Sequence, residues 1–350
     1  MYIKQIDSLR FFAIMLVLVS HWLYGLPYVE ELRLGTIGVE FFFVISGFLI
    51  SLQLFDFKSA INERKEKFSR VLLIFYIRRI LRIFPLYYLI VIISYLFNNG
   101  EVRDAFIWNI CYLSNFYIIK VQHWPSTFSH FWSLSVEEHF YLFWPIIILL
   151  SRKKELPYIF ILIYIFSILF RAFFYTHSQN IFIVNIHTLS CLDLFMVGGA
   201  LAYIYTYKIE LFTQLFSDKV YKYVILISFS TLYIILITRT DYGNFNWIFQ
   251  KSLLGITYAS FIGFIVTGTK GSLAIFLCNR YTVHLGKLSY AMYLVHNFIP
   301  GILLPIKKIS LPFYIEFLVY FLVTLIICEI LNKYFETPIR NLNKRFTIKT

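Results

Sequence analysis

Long apolar runs, broken by short polar or aromatic stretches, set the pattern of this chain. A helix needs about 20 mostly apolar residues to cross the hydrocarbon of a bilayer. Such windows occur at 8–26, 36–54, 77–97, 131–150, 157–175, 187–207, 220–238, 247–268, 285–303 and 313–332. They predict an all-α fold, a polytopic bundle of about ten transmembrane helices. The segment 104–120, with Trp108 and several Tyr and Phe, is shorter and more aromatic, and is expected to lie along the membrane interface. Asp7 and Arg10 at the start of the first run, with no small-residue cleavage site after it, argue that the first helix is retained. No polar or Pro/Gly-rich linker divides the sequence. Residues 1–350 are therefore read as one integral membrane domain, with no extra soluble domain.

Composition supports a membrane setting. Hydrophobic residues make up 59% of the chain and charged residues 15%, against about 25% charged in soluble domains. Charge then orients the bundle. With the N-terminus inside and the spans alternating, 24 of the 32 Lys and Arg fall on the cytoplasmic side, as the positive-inside rule asks. Both termini are expected in the cytoplasm. The net charge of +13 reads as a basic face on anionic lipid, so no nucleic-acid partner is expected. Cys111, Cys191, Cys278 and Cys328 are too scattered for a disulfide framework, and His123, His130 and His139 lack helical ligand spacing. No metal site is expected.

Ionisable groups inside spans are costly and mark function. In "IDSLRFFAIMLVLVSHW", Asp7, Arg10 and His21 fall within about 40° on one helical face, His21 about 16 Å beyond Arg10. The third span opens with "IRRILRIFPLYY", placing Arg78, Arg79 and Arg82 at its cytoplasmic end, one turn apart and suited to a phosphate. In "FWSLSVEEHFYLFWP", Ser133, Glu137 and Tyr141 recur every four residues and form a polar stripe. Glu138 falls instead with Leu134 and Leu142, among headgroups or a local partner. "LGKLSYAMYLVHNF" aligns Ser289, Tyr293 and His296 on one face, and Glu40 sits near the outer end of the second span. The small pair Ser46–Gly47 should admit a close helix. His and Glu for proton transfer, with an Arg cluster for an anion, suggest group transfer across a membrane.

These motifs resemble the membrane-bound acyltransferase 3 family of bacterial O-acyltransferases, which act mainly on sugars. The likeness rests on "IDSLRFFAIMLVLVSH", "GVEFFFVISGFLI", "RRILRIFP", "FWSLSVEEHFYLFWP", "LGKLSYAMYLVH" and "ETPIR", in the family's order along nearly the whole chain. The resemblance implies a multi-pass protein of the bacterial cell (inner) membrane. It implies acyl-CoA, usually acetyl-CoA, as cytoplasmic donor substrate with no permanently bound cofactor, and a glycan or lipid-linked sugar as acceptor. It makes His21 and Glu137 the catalytic pair, Glu137 orienting the imidazole, with Arg79 and Arg82 binding the donor and Arg78 an addition. Asp7, Arg10, Glu40, Ser133, Tyr141, Tyr293 and His296 are supporting candidates. Many members have Arg before Leu-Asp where this chain has Cys191, so Asp193 is expected to lack its charged neighbour and receives no role. A non-enzymatic exporter or flippase of polysaccharide or lipid-linked sugar is the alternative. The acceptor, the acyl chain length and the oligomeric state are not readable from the sequence.

Overall fold

The computed structural model describes residues 2–64, 66–97, 100–178, 180–216, 244–267, 272–303 and 312–347, and among these it is helical with no strand. Its long helices are α1 (Lys4–Trp22), α2 (Leu34–Arg64), α3 (Phe68–Phe97), α4 (Phe131–Leu150), α5 (Leu156–His177), α6 (Thr188–Tyr207), α7 (Asn244–Val266), α8 (Arg280–Val295) and α9 (Phe313–Leu331). Among the described residues, seven helices are long and apolar enough to cross a membrane: α2 to α7 and α9. The other two miss that count for local reasons. Helix α1 carries Lys4, Asp7 and Arg10 in its first turns, and α8 is 16 residues long. The predicted span 220–238 lies outside the described residues. The segment 104–120 folds as part of three short helices, Glu101–Asp104, Phe106–Ile110 and Ser114–Val121. Tyr87 and Tyr88 of α3 tie the middle one down by donating to the Asn109 and Ile110 carbonyls at 2.8 and 3.0 Å.

The predicted windows 36–54 and 77–97 are shorter than their helices: α2 runs on through polar sequence to Arg64, and α3 already starts at Phe68. Lys58 shows why the extension holds. Its ammonium, buried beyond the apolar window, donates to the carbonyls of Ile148, Leu149 and Ser151 at the end of α4. A cation there satisfies carbonyls that lack helical partners and opposes the negative end of the helix dipole.

Helix α1 packs along α2 and α8, and α6 packs along α2 and α5. Close backbone approach makes these contacts possible. A Cβ on Gly286 of α8 would fall 1.7 Å from the Asp7 carbonyl of α1. Gly47 of α2 and Gly198 of α6 meet each other's helices reciprocally, each with room for hydrogen alone. The close approach expected at Ser46–Gly47 is thus made by the glycine.

Helix α8 starts with Asn279 as its N-cap, whose side chain accepts from the Tyr281 N–H at 2.9 Å. It ends in a 3₁₀ turn, His296–Phe298, before resuming at Ile299–Leu303. Pro300 explains the break. It has no N–H to give the carbonyl four residues back, that of His296. Trp22 of α1 joins the Ile299 N–H on that carbonyl, its indole N–H donating to His296 at 3.1 Å. One proline thereby docks the end of α1, and His21 with it, against the turn carrying His296 and Asn297.

Candidate active site

Three imidazoles pack in a row where α1, α8 and the start of α4 meet. The His21 and His296 rings are 4.8 Å apart between centroids, and the His296 and His130 rings 4.9 Å. Their partners fix the protons, since a carbonyl can only accept. His296 Nδ1 lies 2.7 Å from the Tyr293 carbonyl and so carries a proton. Neutral His296 then has a lone pair on Nε2, which faces His21 Nδ1 at 3.2 Å. Asn297 supplies a second constraint. Its amide nitrogen donates to the Ser126 and Thr127 carbonyls at 3.0 and 2.9 Å, so its oxygen is the group turned to His21 Nδ1, at 3.2 Å. Both neighbours are acceptors. His21 is therefore protonated on Nδ1, and Nε2 holds the basic lone pair.

Below the histidines lies a cavity of about 70 Å³, lined by Arg10, Ser46, Arg79, Arg82, Ser133, Glu137, Glu138, Tyr141, Lys287, Ser289 and Tyr293 among others. At its histidine end the Ser133 and Tyr293 hydroxyls stand 2.5 Å apart, and both reach the His130 carbonyl at 3.1 Å. Its other end shares Arg10, Arg79, Arg82 and Lys287 with a wider mouth of about 650 Å³. Seven cationic side chains and one carboxylate, Asp7, line that mouth. Asp7 is engaged by Tyr2, whose hydroxyl donates to it at 2.6 Å, and by Arg10 at 3.9 Å.

Most of the predicted residues divide between two places, while Asp7 and Arg78 line the mouth. Ser133, Glu137, Tyr141, Tyr293, Arg79, Arg82 and Arg10 share the cavity, with Ser289. His21 and His296 sit together beyond the Ser133–Tyr293 bridge. Glu137 does not hydrogen-bond His21 among the described contacts. Its Oε1 accepts from Ser46 at 3.0 Å and its Oε2 from Tyr141 at 3.1 Å. By helical rise it lies about 10 Å below His130 along α4. The expected carboxylate–imidazole pair is replaced by a histidine and an asparagine. Glu138, expected among headgroups or with a local partner, also lines the cavity, as does Leu134 from its own stripe. Adjacent helical residues differ by only about 100°, too little to exclude one of them from a concave wall. Arg79 donates to Gln53 at 2.6 Å, whereas Arg78 turns away from the cavity and donates from Nε to the Phe346 carbonyl at 2.9 Å. Glu40 is buried in the second span outside both cavities.

Asp193 corrects the sequence reading. It has a charged partner, Arg171 of α5, at 2.8 Å, with both side chains fully buried. Arg171 also donates to the Ile248 and Ser190 carbonyls and to Ser252, and Ser252 donates to Asp193 at 2.6 Å. Beside Cys191, the Lys251 ammonium of α7 lies 3.5 Å from the thiol sulfur and donates to the Asn185 carbonyl at 2.7 Å. Sequence reasoning missed Arg171, Lys251, His130 and Asn297. The first two carried a signal, as charges inside apolar windows.

A family model described as an acyltransferase domain matches residues 3–333. The chain belongs to the acyltransferase 3 family. This acyltransferase-family chain is 30% identical over 371 residues to "Putative O-acetyltransferase SACOL0978" of Staphylococcus aureus (strain COL), covering 97% of the chain and 57% of that relative. It is 28% identical over 369 residues to "Peptidoglycan O-acetyltransferase OatA" of Listeria monocytogenes, covering 97% of the chain and 56% of that protein. The chain spans little more than half the length of these curated relatives. No solved structure matches it. Family membership and the apolar helices together make it a multi-pass membrane protein.

Proposed function

We propose that the protein is an O-acyltransferase of the bacterial inner membrane that moves an acetyl group from cytoplasmic acetyl-CoA to a hydroxyl of an exported or cell-surface glycan. The observation that carries this reading is an arginine-rich mouth leading to a buried cavity whose far wall adjoins a histidine with a defined basic nitrogen. The reading takes about ten spans with both termini in the cytoplasm, an arrangement in which the mouth opens on the donor side.

In this reading Arg79 and Arg82 hold the donor's phosphates where mouth and cavity join. A planar fork of donors suits phosphate oxygens better than an ammonium does. The acyl-bearing arm runs into the cavity, where Glu137, held by Ser46 and Tyr141, offers an acceptor to its amide groups. The Ser133–Tyr293 bridge opens to admit the thioester. His21 Nε2 takes the proton of the sugar hydroxyl as its oxygen attacks the thioester carbonyl carbon. The C–S bond then breaks, the sulfur takes the proton back from His21, and CoA leaves as the free thiol. His296 and Asn297 keep Nδ1 protonated and the lone pair directed at the hydroxyl, the orienting task that a carboxylate performs in other acid–base sites.

The test is reconstitution of the purified chain in liposomes with labelled acetyl-CoA and isolated cell-envelope glycan. Label transferred to glycan hydroxyls, with equal release of free thiol, supports the proposal. Movement of unmodified glycan across the bilayer without thiol release would support an exporter instead.

A further inference from the structure

One wall of the mouth is built from the segment that carries "ETPIR", a motif to which the sequence reading gave no role. After α9 the chain turns through a π-helical stretch, Asn332–Glu336, a short helix, Thr337–Asn341, and a 3₁₀ turn, Leu342–Arg345, which together form a strap over α3. The strap supplies Arg340, Asn343 and Lys344 to the mouth. Arg78 pins it through the Phe346 carbonyl. The strap lies almost wholly beyond residue 333, where the family match ends, so that match gives its cations no role.

The cations are graded by depth. Arg79 and Arg82 line both the cavity and the mouth, whereas Arg340 and Lys344 line the mouth alone and are exposed. Three buried polar atoms of residues around the mouth, Arg10 Nε, Arg79 Nε and, on the strap itself, Asn343 Oδ1, have no hydrogen-bond partner. Buried polar groups without partners are uncommon and are costly in an empty site. Two carboxylates face the strap side: Asp7, already engaged, and Glu336, within electrostatic reach of both Arg82 and Arg340. Cations still exceed acids at the rim.

Coenzyme A has the same order along its length. The thioester comes first, then the pantetheine arm, the diphosphate, and last a ribose carrying a separate 3′-phosphate. That terminal monoester carries about −1.5 to −2 charge at pH 7. We propose that the strap is the outer half of the donor site, with Arg340 and Lys344 binding the ribose 3′-phosphate and Asn343 Oδ1 accepting from the nucleoside. The inference rests on the acyl-CoA reading above. It adds that the protein distinguishes a donor with a 3′-phosphate from one without it. A mouth of about 650 Å³ is in the range that takes a ligand of nucleotide size.

The experiment compares CoA with 3′-dephospho-CoA by calorimetric titration of the full chain in nanodiscs. Wild type should bind CoA more tightly by on the order of tenfold or more, as charge-assisted contacts to one monoester would give. In the R340Q/K344Q double variant, CoA should bind as 3′-dephospho-CoA binds wild type, with the affinity for 3′-dephospho-CoA unchanged. Arg79→Ala should weaken both ligands alike. Equal binding of the two ligands by wild type, or full discrimination by R340Q/K344Q, overturns the strap assignment while leaving the donor reading intact. Failure of wild type to bind either ligand overturns the donor reading, and the strap assignment with it. The wild-type comparison needs no variant to fold.

Discussion

Asn297→Leu should slow acyl transfer by removing one of the two acceptors that hold the proton on His21 Nδ1. The remaining acceptor, His296 Nε2, is at the same distance, 3.2 Å. The loss is then one net hydrogen bond, about 0.5–1.5 kcal/mol, or roughly 2- to 13-fold in rate. Removing both acceptors in Asn297→Leu/His296→Phe strands a buried N–H, which costs about 1–3 kcal/mol, or roughly 5- to 160-fold. Leucine at 297 also loses the amide's bonds to the Ser126 and Thr127 carbonyls, so a second substitution is needed to separate the effects. Asn297→Asp keeps an oxygen for His21 and loses those same donors. It should retain near wild-type turnover. The assay is turnover at saturating acetyl-CoA in liposomes, with thermal stability of each variant measured alongside. If the aspartate and leucine variants fall together, the loop tether matters and the tautomer argument is wrong. If the double variant is no slower than the single one, His296 does not hold the proton.

His21→Ala should abolish transfer while leaving CoA binding intact, and near-normal turnover by the folded variant would remove His21 from the mechanism. Arg82→Lys should weaken CoA affinity although the charge is kept, because the fork is lost; an unchanged titration would show that charge alone suffices. Glu137→Gln should raise the KM for acetyl-CoA more than it lowers kcat, since its bonds are to the cavity wall; a pure kcat effect would return it to the histidine. Glu138→Gln, which lacks those two hydroxyl partners, should cost less on either parameter, and a larger loss would reverse the assignment. Arg171→Met leaves Asp193 buried without its guanidinium, and should destabilise the protein by about 3–5 kcal/mol in detergent unfolding; unaltered unfolding would show the cluster to be dispensable.

Apolar patterning located the helices well where both ends are apolar. The window 131–150 coincides with α4. It failed where a polar helical extension is held by tertiary contacts, as Lys58 holds α2 to α4. His21, the proposed proton-transfer residue, was legible as a lone imidazole in an apolar run. Its orienting partners were not, because His296 and Asn297 reach it from 275 and 276 positions away through a break that Pro300 imposes. The same limit explains Asp193: its arginine stands 22 residues earlier on another helix, and no spacing rule on one helix points to it. Stripe geometry put Glu137 in the cavity but could not keep Glu138 out, since the wall is concave and takes in neighbouring stripes.

If the protein hands an acyl group from one side of a membrane to the other, as proposed, it must not become a hole in it. At a potential of 100 mV each elementary charge that crosses releases about 2.3 kcal/mol, so even a narrow water file would drain the gradient that the cell maintains. The two hydroxyls that meet at the His130 carbonyl, each reaching it at 3.1 Å, form a plug in that sense. They face the arginines on one side and the imidazoles on the other, and they satisfy each other without water. Electrical insulation and acyl passage then compete for the same few atoms, and the seal need break only for as long as a thioester occupies it.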